Sequence, residues 1–300
     1  MPITYRQGSV EDSETAFQIF YQAISDLGRR TGVMAISGGS DPDVVRGLWT
    51  RRKSMFEHIA RTASEFWIAE NDGDPVGYAR AIRRGGAQEL TEFFVVPGEQ
   101  SSGVGHELFR RAFPDAGATH RSIIATLDDR AQIRYLKAGL AGRFPLKYFS
   151  RQPELVEVDT DLVPERMNLT PEVMEGLRQI DRELIGHARP EDHRWLAGDR
   201  HGFIFRREGR IVGYGYVGET SGPFALMDAD DFPAVLAHAE NFARGKWDRF
   251  GIEVPLVNRL AIRHLIRRGY TMDSFTAIFM CDKEFGDFER YIFFGPPFMV

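Results

Sequence analysis

Cysteine is almost absent: Cys281 is the only one in 300 residues. One thiol makes neither an intrachain disulfide nor a cysteine-rich zinc site, so a reducing, cytoplasmic setting is expected. Long apolar runs are missing as well. No stretch approaches the ~20 residues that span a bilayer, and the opening Met1-Pro2-Ile3-Thr4-Tyr5-Arg6 lacks the apolar core of a signal peptide. No membrane partner is expected. Nor is there an excess of positive charge. The 38 Lys and Arg face 43 Asp and Glu, for a net charge of −5 and no long run of one sign. Nucleic-acid binding normally needs a basic face, so it is not expected either. What remains is 43% hydrophobic and 27% charged, the proportions of a soluble globular chain. The length suits two domains of ~100–200 residues each.

A faint internal repeat supports that division. Asp72-Gly73-Asp74-Pro75-Val76-Gly77-Tyr78 resembles Glu208-Gly209-Arg210-Ile211-Val212-Gly213-Tyr214. Each reads as a tight acidic-Gly turn leading into a strand. Farther on, Ala131 and Gly139-Leu140 match Ala261 and Gly269-Tyr270. Asp72 and Glu208 lie 136 apart, and Ala131 and Ala261 lie 130 apart. Two nearly constant offsets indicate a duplicated domain, not a solenoid, whose periods are shorter. The halves also open alike. Ser9-Val10-Glu11-Asp12 reads as a capping box before the apolar helical face of Phe17, Phe20, Tyr21, Ile24 and Leu27. Thr170 and Pro171 start a second such helix, and Gly186 stops it. The linker is placed at 153–164, between domains 1–152 and 165–300.

In the first half, strands are predicted at 3–6, 66–70, 76–83, 88–96, 121–127 and 145–150. Helices are predicted at 10–27, 43–62, 103–113 and 129–138, with a glycine-rich loop around Gly38-Gly39. This pattern is α+β, two tandem halves each with a mixed, mostly antiparallel sheet flanked by helices. It is not the regular alternation of a doubly wound fold.

The sharpest motif is Val95-Val96-Pro97-Gly98-Glu99-Gln100-Ser101-Ser102-Gly103-Val104-Gly105, between a strand and a helix carrying Leu108, Phe109 and Ala112. Backbone N–H groups at a helix N-terminus, unobstructed at Gly103 and Gly105, form an anion cradle suited to a pyrophosphate. No Lys follows Gly105, so it is not a Walker loop. Leu108 stands where the dinucleotide fingerprint needs a third small residue. A plain strand-to-helix turn using glycines stays open at this point.

The pattern Val-x-Pro-x-x-Gln-x-x-Gly-x-Gly resembles the acyl-CoA loop of the GCN5-related N-acetyltransferase (GNAT) superfamily. Ala131-x-x-x-Tyr135-x-x-x-Gly139-Leu140 is similar to a second motif of that family. The resemblance covers residues 3–150 and implies acetyl-CoA as co-substrate, with no metal. The backbone of Gln100, Ser101, Ser102, Gly103, Val104 and Gly105 would hold the pyrophosphate. Phe94 and Val95 would meet the pantetheine arm and polarise the thioester carbonyl, stabilising the oxyanion. Tyr135 would give a proton to the departing thiolate, since a phenol of pKa ~10 is protonated where a thiol of ~8.5 ionises. Tyr135 also fits as a helical core aromatic.

A base must take the proton of the attacking amine. Glu92 and Glu89 lie on the strand before the loop, where family bases often occur. Three apart, they fall on opposite faces of a regular strand unless a bulge intervenes. Glu92, nearer the loop, is preferred; each is also readable as a solvated strand carboxylate. Three departures stand out: Asp128 where the family has Asn, Gln100 where Arg is commoner, and Ser101 where a basic residue is frequent.

The second half resembles the family more weakly. Asn258-x-x-Ala261-x-x-x-Leu265-x-x-x-Gly269-Tyr270 puts Leu265, which has no proton to give, at the tyrosine position. Residues 222–233 have no Gly-x-Gly and carry Asp228, Asp230 and Asp231, whose charge opposes a pyrophosphate. This half is read as degenerate and non-catalytic. His187, His193 and His201 with Asp192 fit no metal template. Arg51-Arg52-Lys53, on a helix with Trp49 and Phe56, reads as a solvated face, or else as a contact to the CoA 3′-phosphate. The aromatic tail from Phe288 to Phe298 is expected to pack on the body, with the first domain as one candidate surface.

The function implied is transfer of an acetyl group to a primary amine of a small molecule by direct attack. The alternative is a non-catalytic acyl-CoA-binding or interaction module. The expected assembly is a monomer with an internal pseudo-dimer, or a homodimer.

Overall fold

The structure is a computed structural model, and it describes residues 3–33, 41–100, 103–115 and 117–294. The predicted glycine-rich loop at Gly38-Gly39 lies outside the described residues, as do Ser101, Ser102 and the end of the tail from Gly295. Contacts divide the chain into two compact units, Met1–Ile123 and Ile124–Val300.

The first unit holds a sheet in the order β1-β2-β3-β4-β5, made of β1 (Thr4–Gln7), β2 (Ala63–Asn71), β3 (Asp74–Arg84), β4 (Ala87–Val95) and β5 (His120–Ala125). Neighbours are antiparallel except β4 and β5, which run parallel. Two helices, α1 (Ser13–Thr31) and α2 (Pro42–Thr62), cover the face that carries Phe66, Tyr78 and Phe94. On the other face α3 (Val104–Ala112) sets Phe109 edge-on to Phe93 at 5.9 Å, and Leu108 fills the space left by Gly77. The Ser9–Asp12 capping box forms as predicted, with the Ser9 N–H donating to Asp12 at 2.8 Å.

The second unit opens with α4 (Asp129–Lys137) and β6 (Ala141–Arg151). After an irregular stretch come β7 (Val163–Arg166), α5 (Pro171–Ile185), α6 (Pro190–Asp199), β8 (His201–Arg207), β9 (Arg210–Val217) and β10 (Phe224–Leu226). These are followed by α7 (Phe232–Ala243), β11 (Phe250–Pro255), α8 (Arg259–Arg267), β12 (Thr271–Cys281) and β13 (Tyr291–Ile292). One antiparallel sheet runs β13-β10-β9-β8-β7.

The sequence puts the domain boundary at 153–164, whereas the contacts part after Ile123. The physical reason is β6, which is hydrogen-bonded antiparallel to β12 on one edge and to β11 on the other. Such long-range pairing leaves no trace in local periodicity. The stretch after β6 is still a connector without regular structure, strapped to α7 by Val156 N–H donating to Asn241 at 2.9 Å and Asn241 donating back at 2.7 Å.

The repeat is physical. Asp72-Gly73 and Glu208-Gly209 both take left-handed conformations, with φ of 52° and 89° against 49° and 77°. Helix α4 is capped by Asp128 and stopped at Gly139; α8 is capped by Asn258 and stopped at Gly269. The Leu140 N–H returns to the Tyr135 carbonyl at 3.1 Å, and the Tyr270 N–H returns to Leu265 at 3.0 Å. The strands that follow, β6 and β12, pair with Leu146 opposite Ala277 and Lys147 opposite Thr276. Under the 130-residue offset these two pairs exchange. A local two-fold axis therefore passes between these two strands of the second unit.

Leu265, fully buried, belongs to the cluster formed with Phe250, Ile252 and Val254. Leu265→Ala is expected to cost ~2–5 kcal/mol of stability through the cavity it leaves. Urea unfolding checks this, and a loss below ~1 kcal/mol would mean that the helix is not anchored there.

Candidate active site

The Gly-rich loop joins β4 to α3, as the sequence predicts. Gly103 is the N-cap of α3, with φ 92° and ψ −16°, a left-handed conformation that L side chains rarely adopt. A Cβ built there would meet nothing within 4 Å, so the helix start is open. The Gly103 carbonyl accepts from His106 at 3.0 Å and Glu107 at 3.2 Å, and among the described residues no side chain caps the first turn. Among the described residues nothing therefore blocks this positive end of the helix dipole. Val104 is buried and anchors the helix, and Gly105 continues it. Gln100 uses its side-chain amide to donate to the Val95 carbonyl at 3.0 Å, which closes the loop back on the strand.

The two glutamates do share a face. Arg80 of β3 stands opposite Glu92, but Ala81 stands opposite Leu90, so Thr91 is an extra residue bulging from β4. The slip brings Glu89, opposite Ile82, to the same side as Glu92. Neither is a solvated carboxylate: Glu89 is 5% exposed and Glu92 is 4% exposed. Glu92 accepts from the Tyr78 hydroxyl at 3.1 Å and pairs with the fully buried Arg80 guanidinium. Arg80 also donates to the Phe56 carbonyl at 2.8 Å. Burial raises the proton affinity of Glu92 above the ordinary carboxylate range, against the pull of Arg80. Sequence reasoning missed Arg80. The signal was available: Val76, Tyr78, Arg80 and Ile82 alternate onto one face, and a lone charge among apolar residues requires a partner. Phe94 follows on that same face, edge-on to Phe20 at 5.1 Å.

In the second unit, Tyr135 is 4% exposed on α4. Burial pushes its phenol well above the usual value, so it stays protonated. The departure at Asp128 proves conservative in effect. Its carboxylate accepts from the N–H groups of Arg130 at 3.0 Å and Ala131 at 3.2 Å, the task Asn258 performs for Ala261 at 3.0 Å.

A family model, the acetyltransferase (GNAT) domain, matches residues 62–139, the stretch that holds β3, β4, the loop, α3 and α4. Over residues 62–139 the chain is thus similar to a GNAT acetyltransferase domain. Solved structures extend the likeness in fold to nearly the whole chain. A protein of Pyrococcus horikoshii assigned as an acetyltransferase is 17% identical, with a TM-score of 0.73 over 96% of this chain and 92% of that one. A tandem GNAT protein from the clavulanic acid biosynthesis pathway is 12% identical, with a TM-score of 0.60 over 93% and 98%. A GCN5-related N-acetyltransferase of Sphaerobacter thermophilus is 14% identical, with a TM-score of 0.58 over 95% and 96%. Comparison with curated proteins returns no match.

The matched stretch and its counterpart in the second half differ at the helix start. In element order β10 answers to β4 and α7 to α3. At the start of α7, the Asp228 carboxylate accepts from the Asp230 N–H at 2.9 Å, Asp231 pairs with Arg207 at 2.7 Å, and Pro233 brings no N–H. Carboxylates thus lie at the start of α7, where α3 begins instead with Gly103. The edge of β10 is taken by the chain's own end, with Phe224 opposite Ile292 and Ala225 opposite Tyr291. The aromatic tail therefore packs on the body as expected: β13 pairs with β10, and Phe288 and Phe293 also meet Phe144 of β6, within 1–152, at 5.0 and 6.4 Å. Of the histidines, His193 bonds Asp181 and Tyr216, each at 2.8 Å, in the core. Among the described residues no group of three or more His, Cys, Asp or Glu side chains is arranged to hold a metal, and no helix is long and apolar enough to cross a membrane.

Proposed function

We propose that the chain is an acetyl-CoA-dependent N-acetyltransferase acting on a primary amine of a small molecule. The observation that carries this reading is the open N-terminus of α3 behind Gly103, within the stretch that the GNAT model matches. A pyrophosphate there would be held by backbone N–H groups, and the lack of basic side chains in the loop is no obstacle to that. The Asp128 departure, which favoured a binding-only module, loses its weight because Asp128 caps α4 as Asn would.

In the reaction, the amine nitrogen attacks the thioester carbonyl carbon. The C–N bond forms, the C–S bond breaks, and the net proton passes from amine to thiolate. Glu92 is the base, its proton affinity raised by burial and its orientation held by Arg80 and Tyr78. Glu89 is the second carboxylate on that face. Phe94 and Val95 line the pantetheine arm, and Tyr135 supplies a hydrogen-bond donor to the leaving sulfur.

Isothermal titration tests the reading. One acetyl-CoA per chain is expected, since the second half offers carboxylates instead of a cradle. Gly103→Asp should weaken binding roughly 10–100-fold, because the residue would be strained at φ 92° by ~1–3 kcal/mol and would carry a charge toward the phosphates. No binding at millimolar ligand would reject the proposal, and two ligands per chain would reject the assignment of the halves.

A further inference from the structure

Arg52 lies on α2 one turn before Phe56, whose carbonyl receives Arg80. The sequence reads the Arg51–Lys53 run as a solvated face. The structure qualifies this for Arg52, which is half-buried between the exposed Arg51 and Lys53 and lies over the same face of the sheet as Tyr78, Glu92 and Phe94. Its guanidinium lies 5.2 Å from the centre of the Phe20 ring. Among the described residues it has neither a hydrogen bond nor a carboxylate partner, and residues 34–40 contain no Asp or Glu. By contrast, the buried Arg80, Arg84 and Arg121 of this unit are matched, by Glu92, by the Thr62 hydroxyl at 2.9 Å and by Asp115 at 3.3 Å. Burial and the neighbouring Arg51 even lower the Arg52 pKa. A half-buried guanidinium without a carboxylate partner keeps its donors available to an anionic ligand.

The surroundings define the ligand. Phe20, Trp49 and Phe94 are all partly exposed; Phe20 meets Phe94 at 5.1 Å, and Phe17 meets both Phe20 and Trp49, at 6.3 and 5.3 Å, so apolar surface adjoins Arg52. The charge of Arg52 is felt at Glu92. Helix α3, whose start is the anion cradle, packs on the opposite face of the sheet. A CoA phosphate is therefore a poorer partner for Arg52 than an anion on the acceptor. A planar guanidinium takes a carboxylate through two parallel bonds.

We infer that Arg52 is a specificity-determining residue that binds the carboxylate of an amino-acid-like acceptor, whose apolar side chain lies against Phe20, Trp49 and Phe94 and whose amine is directed to Glu92. This inference rests on the acetyltransferase reading above. The test compares amines with and without the carboxylate: L-phenylalanine against 2-phenylethylamine, L-tyrosine against tyramine, L-leucine against 3-methylbutylamine. Thiol release from acetyl-CoA is followed for the wild type, Arg52→Gln and Arg52→Lys, with folding checked by thermal melts. The carboxylated member should be preferred by at least about tenfold in kcat/KM; Arg52→Gln should abolish the preference through KM, and Arg52→Lys should keep part of it. The KM for acetyl-CoA should not move. Equal use of both members, a preference that survives in Arg52→Gln, or a rise in acetyl-CoA KM instead would overturn the inference, the last by assigning Arg52 to the cofactor. No turnover of any pair while calorimetry finds acetyl-CoA bound overturns it too. Absence of acetyl-CoA binding overturns the underlying acetyltransferase reading.

Discussion

Replacing Tyr135 by Phe is expected to lower turnover roughly 10–10⁴-fold while acetyl-CoA affinity stays within about twofold. The substitution keeps the ring, and the ring is what the fold uses: Tyr135 is buried on a nine-residue helix fixed at its start by Asp128 and at its end by Gly139. Only the hydroxyl is lost. Burial holds that hydroxyl protonated at every working pH, so its role is to donate toward the thiolate and not to switch with pH. The alkaline limb of the rate profile should therefore not report Tyr135. Steady-state thiol release gives kcat, and calorimetry gives the affinity. An unchanged kcat would make Tyr135 a core aromatic after all, the plainer reading that its helical spacing also allowed. A large loss of affinity with unchanged kcat would move it from proton donor to cofactor wall.

How much of this was legible in the sequence depended on how local the signal was. The turn at Asp72-Gly73 and its twin at Glu208-Gly209, the caps at Ser9 and Thr170, and the glycine at the start of α3 are each set by a few consecutive residues, and all are where the sequence puts them. The relation of Glu89 to Glu92 was not legible, because it turns on one extra residue, Thr91, in a strand pair, and nothing in the local sequence marks it. The placing of β6 between β12 and β11 was likewise hidden, since hydrogen-bonded partners more than a hundred residues away decide it. Arg52 was misread for a related reason. A run of three basic residues on a helix looks solvated, but with ~3.6 residues per turn the members point in different directions, and only Arg52 turns toward the sheet.

The same strand exchange sets up the second large effect. Glu253 of β11 stands directly opposite Tyr148 of β6, is 5% exposed, and has one carboxyl oxygen buried without a hydrogen-bond partner among the described residues. Burial, with a further push from Asp273 and against the pull of Lys147, takes its pKa from the usual 4.5 up to about 8. Between those two values the folded chain keeps a proton that the unfolded chain has released. The folded state binds more protons there, so stability must fall as pH rises through the window and level off above about 8. Each unit is worth ~1.4 kcal/mol, so the full loss is on the order of 5 kcal/mol; relaxation and entry of water make ~2–5 kcal/mol the expected range. Glu253→Gln cannot ionise and should escape it. Urea unfolding of the two proteins should nearly coincide at about pH 5 and diverge by ~2–5 kcal/mol at about pH 8.5, with the variant the more stable. Curves that stay parallel from acid to alkaline pH would show that Glu253 is ionised throughout, and that β11 and β6 meet around a solvated carboxylate.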